Sequence, residues 1–373
     1  MLPVSSTLFL SMRRKLFCVL SLAFCFMVSC EKFNDPSPNY TYSVPNSGQN
    51  EFLVSSLEAE GIDEALITQM TNLIIREEYK RIDGLLILRN NKLVYENYFH
   101  GHSSDVLHNI YSAGKSITSI LVGIAIDKGF INSVYTPIVP LLPEYEDFKN
   151  PDPRKNVITI EHLLNMTSGL DCDDWYKQTE SQMQQSNDWV KFTLDLPIVY
   201  DPGSHGSYCT GCPVTLGRVI ENASGLSLQE FADKYLFKPL NITKYKWHIM
   251  PDGKASGGGL FFLRPRDMAK IGLLMLNNGM QNGDQIVSAE WVQLCMRNNV
   301  KLPGPFDGYG YLWWKQSFTG DSESYFADGN GGQQIFIIPS KELVIVFTGG
   351  NQNTSVGIQN FGIVNNYVLA AIK

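Results

Sequence analysis

The sequence predicts a split α/β fold, in which strands from the two ends of the chain form one sheet around a helical middle. Two apolar runs with a hairpin-like connection lie near residue 90, and three further strand-like runs lie between residues 324 and 348. The stretch from about 130 to 250 has no strong strand pattern and contains Pro/Gly loops and short helices. This order favours a sheet domain that carries a helical insertion.

The first elements follow from hydrophobic periodicity. Residues 63–81 repeat apolar side chains at helical spacing and predict an amphipathic helix. Residues 84–89 and 93–99 are apolar or alternating runs. Asn90 and Asn91 stand between them, and because this residue type tolerates a positive φ, the segment predicts a β-hairpin.

Helix signals follow through the centre of the chain. A helix is predicted from Ser112 to Lys128, because apolar side chains share one side and Gly129 stands just beyond its end. Three more helices are predicted. The first covers residues 213–221 and has Pro in its first turn, and the second begins at 227 with a capping box. The third covers residues 266–277 and is closed by Gly279.

The last third supplies the remaining strands. Strand-like runs with short turns cover residues 324–328, 333–338 and 343–348, and a terminal helix is predicted at about 357–372. The run Gly257–Gly259 predicts a turn or a close approach of two backbones.

Composition excludes several classes of protein. The chain has 373 residues, of which 44% are hydrophobic and 18% charged, so it can bury a sizeable core and is neither collagen-like nor disordered. Its net charge is −7, and no Lys/Arg run occurs beyond the extreme N-terminus. A nucleic-acid partner is therefore not expected.

The N-terminus resembles an export signal. A basic segment at 12–15 precedes thirteen apolar residues, Leu16 to Val28, which are too few to span a bilayer comfortably. Val28-Ser29-Cys30 resembles a bacterial lipobox. We expect a lipoprotein signal peptide at 1–29, a lipidated Cys30 and an exported bacterial lipoprotein, anchored to a membrane in the periplasm or at the cell surface. The alternative is an ordinary secretory signal with a chance Cys, and Met12 could be the true start.

The residues after the signal are expected to form a flexible tether, 30–58, because they are rich in Asn, Ser, Pro and Tyr. No later segment approaches the ~20 apolar residues of a transmembrane helix.

The candidate nucleophile is the serine of Ser112-Ala-Gly-Lys115, at the point where a loop enters a helix. A serine hydroxyl needs a nearby base, and a lysine three residues later lies on the same helix face. The helix N-terminus adds a positive field and backbone donors for an oxyanion. The pattern alone is weak, since it recurs at Ser29–Lys32, and a plain N-cap serine is the alternative.

Two later segments strengthen this hypothesis. Tyr208 lies on a loop after Pro-Gly and could reach the serine as a second proton-transfer group. Residues 327–333 join two strand-like runs, and a strand edge there could offer a backbone N–H as a second oxyanion donor.

Taken together, residues 60–373 resemble the serine hydrolases related to class C β-lactamases, a group that includes penicillin-binding peptidases, family VIII esterases and 6-aminohexanoate-dimer hydrolases. The resemblance lies in the order of the Ser-x-x-Lys, Tyr and Gly-containing strand motifs, and in the segments 158–170, 257–260, 264–272 and 309–314. It implies an α/β (α+β) fold of the β-lactamase/transpeptidase type, with an antiparallel sheet flanked by helices. The sheet domain would comprise 59–145 and 250–373, and the mainly helical insertion 146–249.

The resemblance also implies roles for individual residues. Ser112 would accept the acyl group, Lys115 and Tyr208 would transfer protons, and the backbone N–H groups of Ser112 and Asn330 would form the oxyanion hole. The tentative substrate contacts are Thr210, Asp328, Gly329 and His205.

Two departures from the family pattern affect the expected substrate. Thr210 stands where the lactamases usually have Asn or Ser. Ala327-Asp328-Gly329 replaces Lys-Thr-Gly or His-x-Gly, and the lost cation would normally hold a substrate carboxylate. An esterase or amide hydrolase acting on a small or peptide-like substrate is therefore favoured. The alternatives are β-lactamase or D-Ala-D-Ala carboxypeptidase activity, and a non-catalytic lipoprotein that binds a ligand.

The predicted export of the chain permits its cysteines to form a disulfide. Cys172 could pair with Cys209 or Cys212 beside the tyrosine loop, and small buried thiols are the alternative. One Cys-x-x-Cys without a second pair is weak evidence for zinc. We expect no metal and no cofactor, and the oligomeric state is left open.

The remaining conspicuous residues have plainer interpretations. His100 and His102 are assigned to a loop or cleft rim rather than to a metal. Residues 171–174 are interpreted as a solvated acidic loop, and Trp313 and Trp314 as core or cleft wall.

Overall fold

The computed structural model describes residues 39–48, 51–297 and 300–373. The predicted signal peptide at 1–29, Cys30 and the first part of the predicted tether lie outside these ranges and stay predictions. None of the helices in the described ranges is long and apolar enough to cross a membrane.

The strands are short at the edges of the fold and long at its centre. They are β1 (Leu53–Val54), β2 (Ile82–Arg89), β3 (Lys92–Tyr98), β4 (His108–Asn109), β5 (Lys246–Trp247), β6 (Phe261–Leu263), β7 (Met280–Gln281), β8 (Asp284–Gln285), β9 (Gly308–Gly310), β10 (Trp313–Phe318), β11 (Ser322–Gly329), β12 (Gln333–Ile338) and β13 (Leu343–Gly349).

The α-helices are α1 (Glu64–Ile75), α2 (Ala113–Asp127), α3 (Ile160–Leu164), α4 (Thr179–Gln184), α5 (Trp189–Asp195), α6 (Gly211–Ser224), α7 (Leu228–Ala232), α8 (Pro265–Leu276), α9 (Ala289–Cys295) and α10 (Gln359–Ile363). Two segments of π-helix, Asp233–Phe237 and Val364–Leu369, continue α7 and α10.

One eight-stranded sheet forms the centre of the fold, in the order β1-β3-β2-β13-β12-β11-β10-β9. Every neighbouring pair is antiparallel except β1 and β3. The pairing of β2 with β13 joins the early hairpin to the late strands, with Ile87 opposite Ile345. The predicted α/β (α+β) fold with an antiparallel sheet flanked by helices is confirmed.

The core lies between this sheet and the helices on its faces. Strands β12 and β13 are buried at every position, which requires cover on both faces. On one face α8 packs directly against β13, where a Cβ on Gly272 would lie 2.4 Å from Val344 Cγ1. Helix α2 is buried from Ala113 to Ala125, so the helix that follows Ser112 is a central element of the core.

Most local predictions agree with these elements. The hairpin is β2 and β3, and its turn residues Asn90 and Asn91 have φ of 51° and 62°. The helix from Ser112 is α2, and the capping box at Ser227 opens α7. The helix predicted over 63–81 is shorter, because it ends at Ile75 and Glu77 adopts a φ of 61°.

The predicted insertion, 146–249, contains α3 to α7, but its last residues are not helical. Strand β5 pairs with β6, which in turn pairs with β4, so this end of the segment belongs to a small three-stranded sheet.

The flexible tether predicted over 30–58 is wrong for residues 39–48 and 51–58, which the structure describes. Tyr42 donates a hydrogen bond from its hydroxyl to the carbonyl of Val94, and β1 pairs with β3. Glu51 forms ion pairs with Arg264 and Arg266 of the α8 region. Partners so distant in sequence hold this segment on the domain, and local composition does not reveal them.

Candidate active site

Ser112 and Lys115 lie one helical turn apart at the start of α2. Lys115 Nζ donates a hydrogen bond of 2.8 Å to Ser112 Oγ. The Ser112 side chain makes no capping hydrogen bond to the helix. The alternative of a plain N-cap serine therefore does not describe this residue, whose hydroxyl faces the lysine amine instead.

The backbone that leads into Ser112 is held by two close approaches. A Cβ on Gly329 would lie 2.1 Å from the carbonyl oxygen of Ile110, and a Cβ on Gly259 would lie 2.3 Å from that of Tyr111. Tyr111 itself has a φ of 47°, a conformation that costs free energy in a non-glycine residue. The close approach predicted at 257–259 is confirmed, and it fixes Tyr111, the residue that precedes Ser112.

Tyr208 completes a cluster with these two residues. Its hydroxyl interacts with Ser112, which lowers the pKa of Tyr208 against the larger effect of burial, and Lys115 Nζ lies 5.4 Å from the centre of its ring. The ring stacks on Trp175 at 5.0 Å and on Trp314 at 5.7 Å. The structure thus brings the three predicted proton-transfer and nucleophilic groups together.

The loop that carries Tyr208 is fastened to the loop that follows α3. Cys172 and Cys209 form a disulfide, with their Cα atoms 5.5 Å apart. Ser207 Oγ donates to the carbonyl of Cys172 at 2.7 Å, and Asp174 N donates to the carbonyl of Tyr208 at 2.9 Å. Cys209 and Cys212 were both possible partners for Cys172. Cys209 forms the bond, and Cys212 is a buried free thiol.

The acidic loop at 171–174 is not the solvated surface that the sequence predicts. Asp174 Oδ2 accepts a 2.6 Å hydrogen bond from the backbone N–H of Thr210, and burial raises the pKa of Asp174 to about 6. Asp171 pairs with Lys177, and Asp173 accepts from the backbone of Trp175. The disulfide explains the difference, because it draws the loop against the Tyr208 segment.

Burial has opposite effects on the two candidate proton-transfer groups. It lowers the pKa of Lys115, while the negative charges of Glu180 and Asp174 oppose that change. Burial raises the pKa of Tyr208 well above its usual range. Lys115 can therefore exist as a neutral amine more readily than an exposed lysine, whereas Tyr208 stays a neutral phenol that can donate a proton.

The two predicted oxyanion donors face the same cleft. Ser112 and Asn330 both line it, and neither backbone N–H has a hydrogen-bond partner among the described residues. Asn330 is fixed by its side chain, whose Nδ2 donates to Asn353 Oδ1 at 2.9 Å. Two unpaired N–H groups at one cleft form a suitable pocket for the oxygen of a tetrahedral intermediate.

Asp328 follows Ala327, which occupies the strand position where the resembling family carries a cation. Its Oδ1 accepts a 2.7 Å hydrogen bond from Gln334 Nε2, and burial raises its pKa to about 6. Together with Glu180 and Asp174, it makes the surroundings of Lys115 and Tyr208 acidic. A substrate carboxylate beside the scissile bond would meet repulsion here instead of a counter-ion.

A cleft of about 330 Å³ opens at Ser112. It is lined by Tyr111, Ser112, Glu180, Ser181, Gln184, Gly258, Leu260, Asn330 and Asn353. Asn330 also borders a second cavity of about 250 Å³, which includes Trp175, Phe306 and Asp328. That cavity shares Phe306 and Phe361 with an apolar trough of about 620 Å³.

The other predicted residues have less direct positions. His205 is exposed and stacks on Tyr200 at 4.0 Å, and it is not among the residues that line the cleft. Gly329 borders the second cavity. Trp313 is buried and Trp314 lies against Tyr208, in agreement with a core or cleft-wall role.

Sequence reasoning missed two contributors to the site. Glu180 of α4 lines the cleft, and Trp175 stacks on the Tyr208 ring. Neither belongs to a spacing motif, and the only available signal was that both follow Cys172 within eight residues.

Comparison with known proteins gives consistent relationships. A model of the Beta-lactamase family matches residues 74–357. The 6-aminohexanoate-dimer hydrolase of Paenarthrobacter ureafaciens is 26% identical over 309 residues, 76% of each chain. The lovastatin esterase of Penicillium rubens is 28% identical over 194 residues, 47% of each chain. The octameric penicillin-binding protein homologue from Pyrococcus abyssi superposes with a TM-score of 0.64 at 18% identity, over 82% of this chain and 76% of that one.

Proposed function

Because the chain belongs to the Beta-lactamase family, we propose that it is a serine hydrolase that forms a covalent acyl-enzyme on Ser112. The predicted relationship and enzyme class are confirmed at this level, since both named relatives are hydrolases of the family. The observation that carries the proposal is the 2.8 Å contact between Lys115 Nζ and Ser112 Oγ, the serine that lines the cleft.

Acylation begins with the transfer of a proton from Ser112 to the neutral amine of Lys115. The serine oxygen then bonds to the substrate carbonyl carbon, and the carbonyl oxygen becomes an oxyanion between the N–H groups of Ser112 and Asn330. Tyr208, a neutral phenol beside Lys115, passes a proton to the departing alcohol or amine and is reprotonated from Lys115. The carbon–oxygen or carbon–nitrogen bond breaks, and the acyl group remains on Ser112.

Deacylation repeats the same proton path with water. Water gives a proton to the Tyr208–Lys115 pair as its oxygen attacks the ester carbonyl, and Ser112 recovers a proton when the acid leaves. The catalytic groups return to their first protonation state, so no cofactor is needed for this proposed cycle.

The proposed substrate is an ester or amide with an apolar portion and no carboxylate beside the scissile bond. Ala327 and Asp328 support the second condition, because Ala327 replaces the cation that would bind such a group and the Asp328 carboxylate follows it directly. The apolar trough supports the first, since it continues from the cavity beside Asn330 and includes Phe306 and Phe361. β-Lactamase and D-Ala-D-Ala carboxypeptidase activities are the second candidates.

A paired-substrate assay tests the choice between these classes. The purified protein is given an acyl-D-Ala-D-Ala peptide and the same peptide with an amidated C-terminus. We expect the amidated peptide to react at least about tenfold faster, since like charges in one site cost more than 1.4 kcal/mol. Asp328→Asn should narrow the difference, whereas Asp284→Asn on β8 should not. Faster hydrolysis of the free acid would favour the carboxypeptidase alternative.

A series of p-nitrophenyl esters tests the apolar trough. The value of kcat/KM should rise as the acyl or alcohol chain lengthens, by up to about fourfold per methylene if each is fully buried. Hydrolysis that is absent for all esters, amides and a chromogenic cephalosporin would favour the non-catalytic binding protein.

The export of this hydrolase as a lipoprotein anchored through Cys30 remains part of the proposal. Comparison of membrane fractions from cells that express the wild type and Cys30→Ser tests it. Identical partitioning of both proteins would contradict the lipid anchor.

A further inference from the structure

A second cluster of functional side chains lies apart from the cleft, where the early hairpin meets β4. Asp83 of β2, His102 of the loop after β3 and His108 of β4 bring one ligand atom each to within 4.8 Å of the others. Asp83 and His108 are 3% and 7% exposed, and His102 is partly buried. Three separate elements thus converge on one small volume.

The imidazoles in this cluster are not satisfied by the protein. His108 Nε2 and His102 Nδ1 are buried and have no hydrogen-bond partner among the described residues. The two rings lie side by side, with centroids 4.8 Å apart and planes tilted by 31°. A buried polar atom without a partner is costly, so two of them beside one carboxylate need an explanation.

A third histidine, His100, also contacts the Asp83 carboxylate and helps to orient it. Asp83 Oδ1 lies 3.2 Å from Nδ1 of His100, and the other ring nitrogen of His100 contacts Glu77. Asp83 Oδ2 lies 3.6 Å from His102 Nε2, too far for a good hydrogen bond. Side chains that bind a metal are commonly held in place by further hydrogen-bonding groups around the site. Here His100 and Glu77 would hold Asp83, whose other oxygen faces His102.

We propose that Asp83, His102 and His108 bind a divalent transition-metal ion, with Zn²⁺ as the best match. Two imidazoles and a carboxylate form a ligand set that zinc accepts, and the fourth position is open to water. Tetrahedral zinc at about 2.1 Å from each ligand needs donor atoms about 3.4 Å apart. Asp83 Oδ2 and His102 Nε2 already lie 3.6 Å apart, so the distances that must shorten are those to His108.

The site would act on the nucleophile through the backbone. Strand β4 continues through Ile110 and Tyr111 into Ser112, and Ile110 N donates to the carbonyl of Phe261. An ion at His108 would tie this strand to β2 and to the loop after β3. Its expected role is structural, because it would fasten the segment that positions Ser112 without contacting the cleft.

Zinc binding by the chelator-treated full-length chain tests the proposal directly. Zn²⁺ alone is added, excess ion is removed, and bound metal is counted by atomic emission while thermal unfolding is followed in parallel. We expect one high-affinity Zn²⁺ per chain and a higher Tm with Zn²⁺. His102→Gln should weaken binding at least tenfold and abolish the shift in Tm.

His205→Gln is the matched control, because His205 is an exposed histidine outside the cluster. The cysteines are identical in both variants, so any binding to thiols contributes equally. His108→Gln should also lose the ion, and if that variant fails to fold, the partly exposed His102 still decides the question. Equal zinc uptake by wild type and His102→Gln, or no uptake above background, would overturn the proposal.

Discussion

Substitution of Gly329 by alanine is expected to damage catalysis while the fold survives. A Cβ at this position would lie 2.1 Å from the carbonyl oxygen of Ile110 and 3.1 Å from Cβ of Gln333. Real Cβ contacts are essentially never shorter than 3.0 Å, so the end of β11 must move away from Ile110 by about 0.9 Å. The next residue is Asn330, whose backbone N–H is the proposed second oxyanion donor.

The size of the effect follows from the loss of that donor. Removal of one oxyanion-hole hydrogen bond costs about 10²–10³ in kcat, or about 2.7–4 kcal/mol, and a displacement of about 1 Å is enough to cause it. We therefore expect kcat to fall about 10²-fold or more in Gly329→Ala. Substrate binding depends less on this N–H, so KM should change less than kcat.

The assay is steady-state hydrolysis of a chromogenic ester, with the folded state checked by circular dichroism and a thermal melt. Gly362→Ala is the matched control, since a Cβ there meets nothing within 4 Å, and because Gly362 borders the apolar trough, the comparison uses a short-chain ester, on which its kcat should equal that of the wild type. A folded Gly329→Ala protein with wild-type kcat would refute the assignment of Asn330.

Three further predictions concern the tyrosine loop, the lysine and the ion pairs of the N-terminal segment. The Cys172→Ala/Cys209→Ala double variant should lose about 4 kcal/mol of unfolding free energy in a urea titration, because the bond closes a loop of 37 residues, and a loss no larger than that of Cys212→Ala would contradict this. Glu180→Gln removes a negative charge that raises the pKa of Lys115, so the acidic limb of the pH profile of kcat/KM should move to lower pH. The control, Glu290→Gln on α9, should leave this limb in place. A shift of the limb to higher pH in Glu180→Gln would count against Lys115 as the base. Glu51→Gln should destabilise the protein by about 1–3 kcal/mol, because Arg264 and Arg266 lose a partly buried partner, while the exposed Glu58→Gln should change stability by less than about 0.5 kcal/mol in the same titration.

The elements that the sequence predicted well are those in which several local signals coincide. The β2–β3 hairpin combines apolar runs with Asn90-Asn91, and α2 combines helical periodicity with Gly129. Strands β11 to β13 are bounded by short turns. In each case the chain's own pattern specifies the element, and tertiary contacts only confirm it.

Elements that depend on strand pairing or on tertiary contacts, rather than on a local pattern, were missed. Strand β10 alternates weakly after Trp314 and exists because it pairs with β11, where Lys315 faces Tyr325. Residues 39–58 look like a tether because their composition is polar, yet Glu51 and Tyr42 find partners far away in sequence. The terminal helix predicted at 357–372 contains a π-helical segment that no local rule anticipates.

The site was predictable where a motif defines it and unpredictable where loops assemble it. Ser112, Lys115 and Tyr208 were found from spacing and resemblance. Asp174 enters the site because the disulfide draws its loop inward, and Glu180 because α4 follows that loop. The cluster of Asp83, His102 and His108 joins three elements, so no spacing rule could reveal it.

Covalent labelling of Ser112 tests the central claim most directly. The purified protein is treated with a fluorophosphonate, and the adduct is located by peptide mass spectrometry. We expect one adduct per chain on the peptide that contains Ser112, no adduct in Ser112→Ala, and labelling slowed by several powers of ten in Lys115→Met. A label on another residue, or undiminished labelling of Ser112→Ala, would show that Ser112 is not the nucleophile.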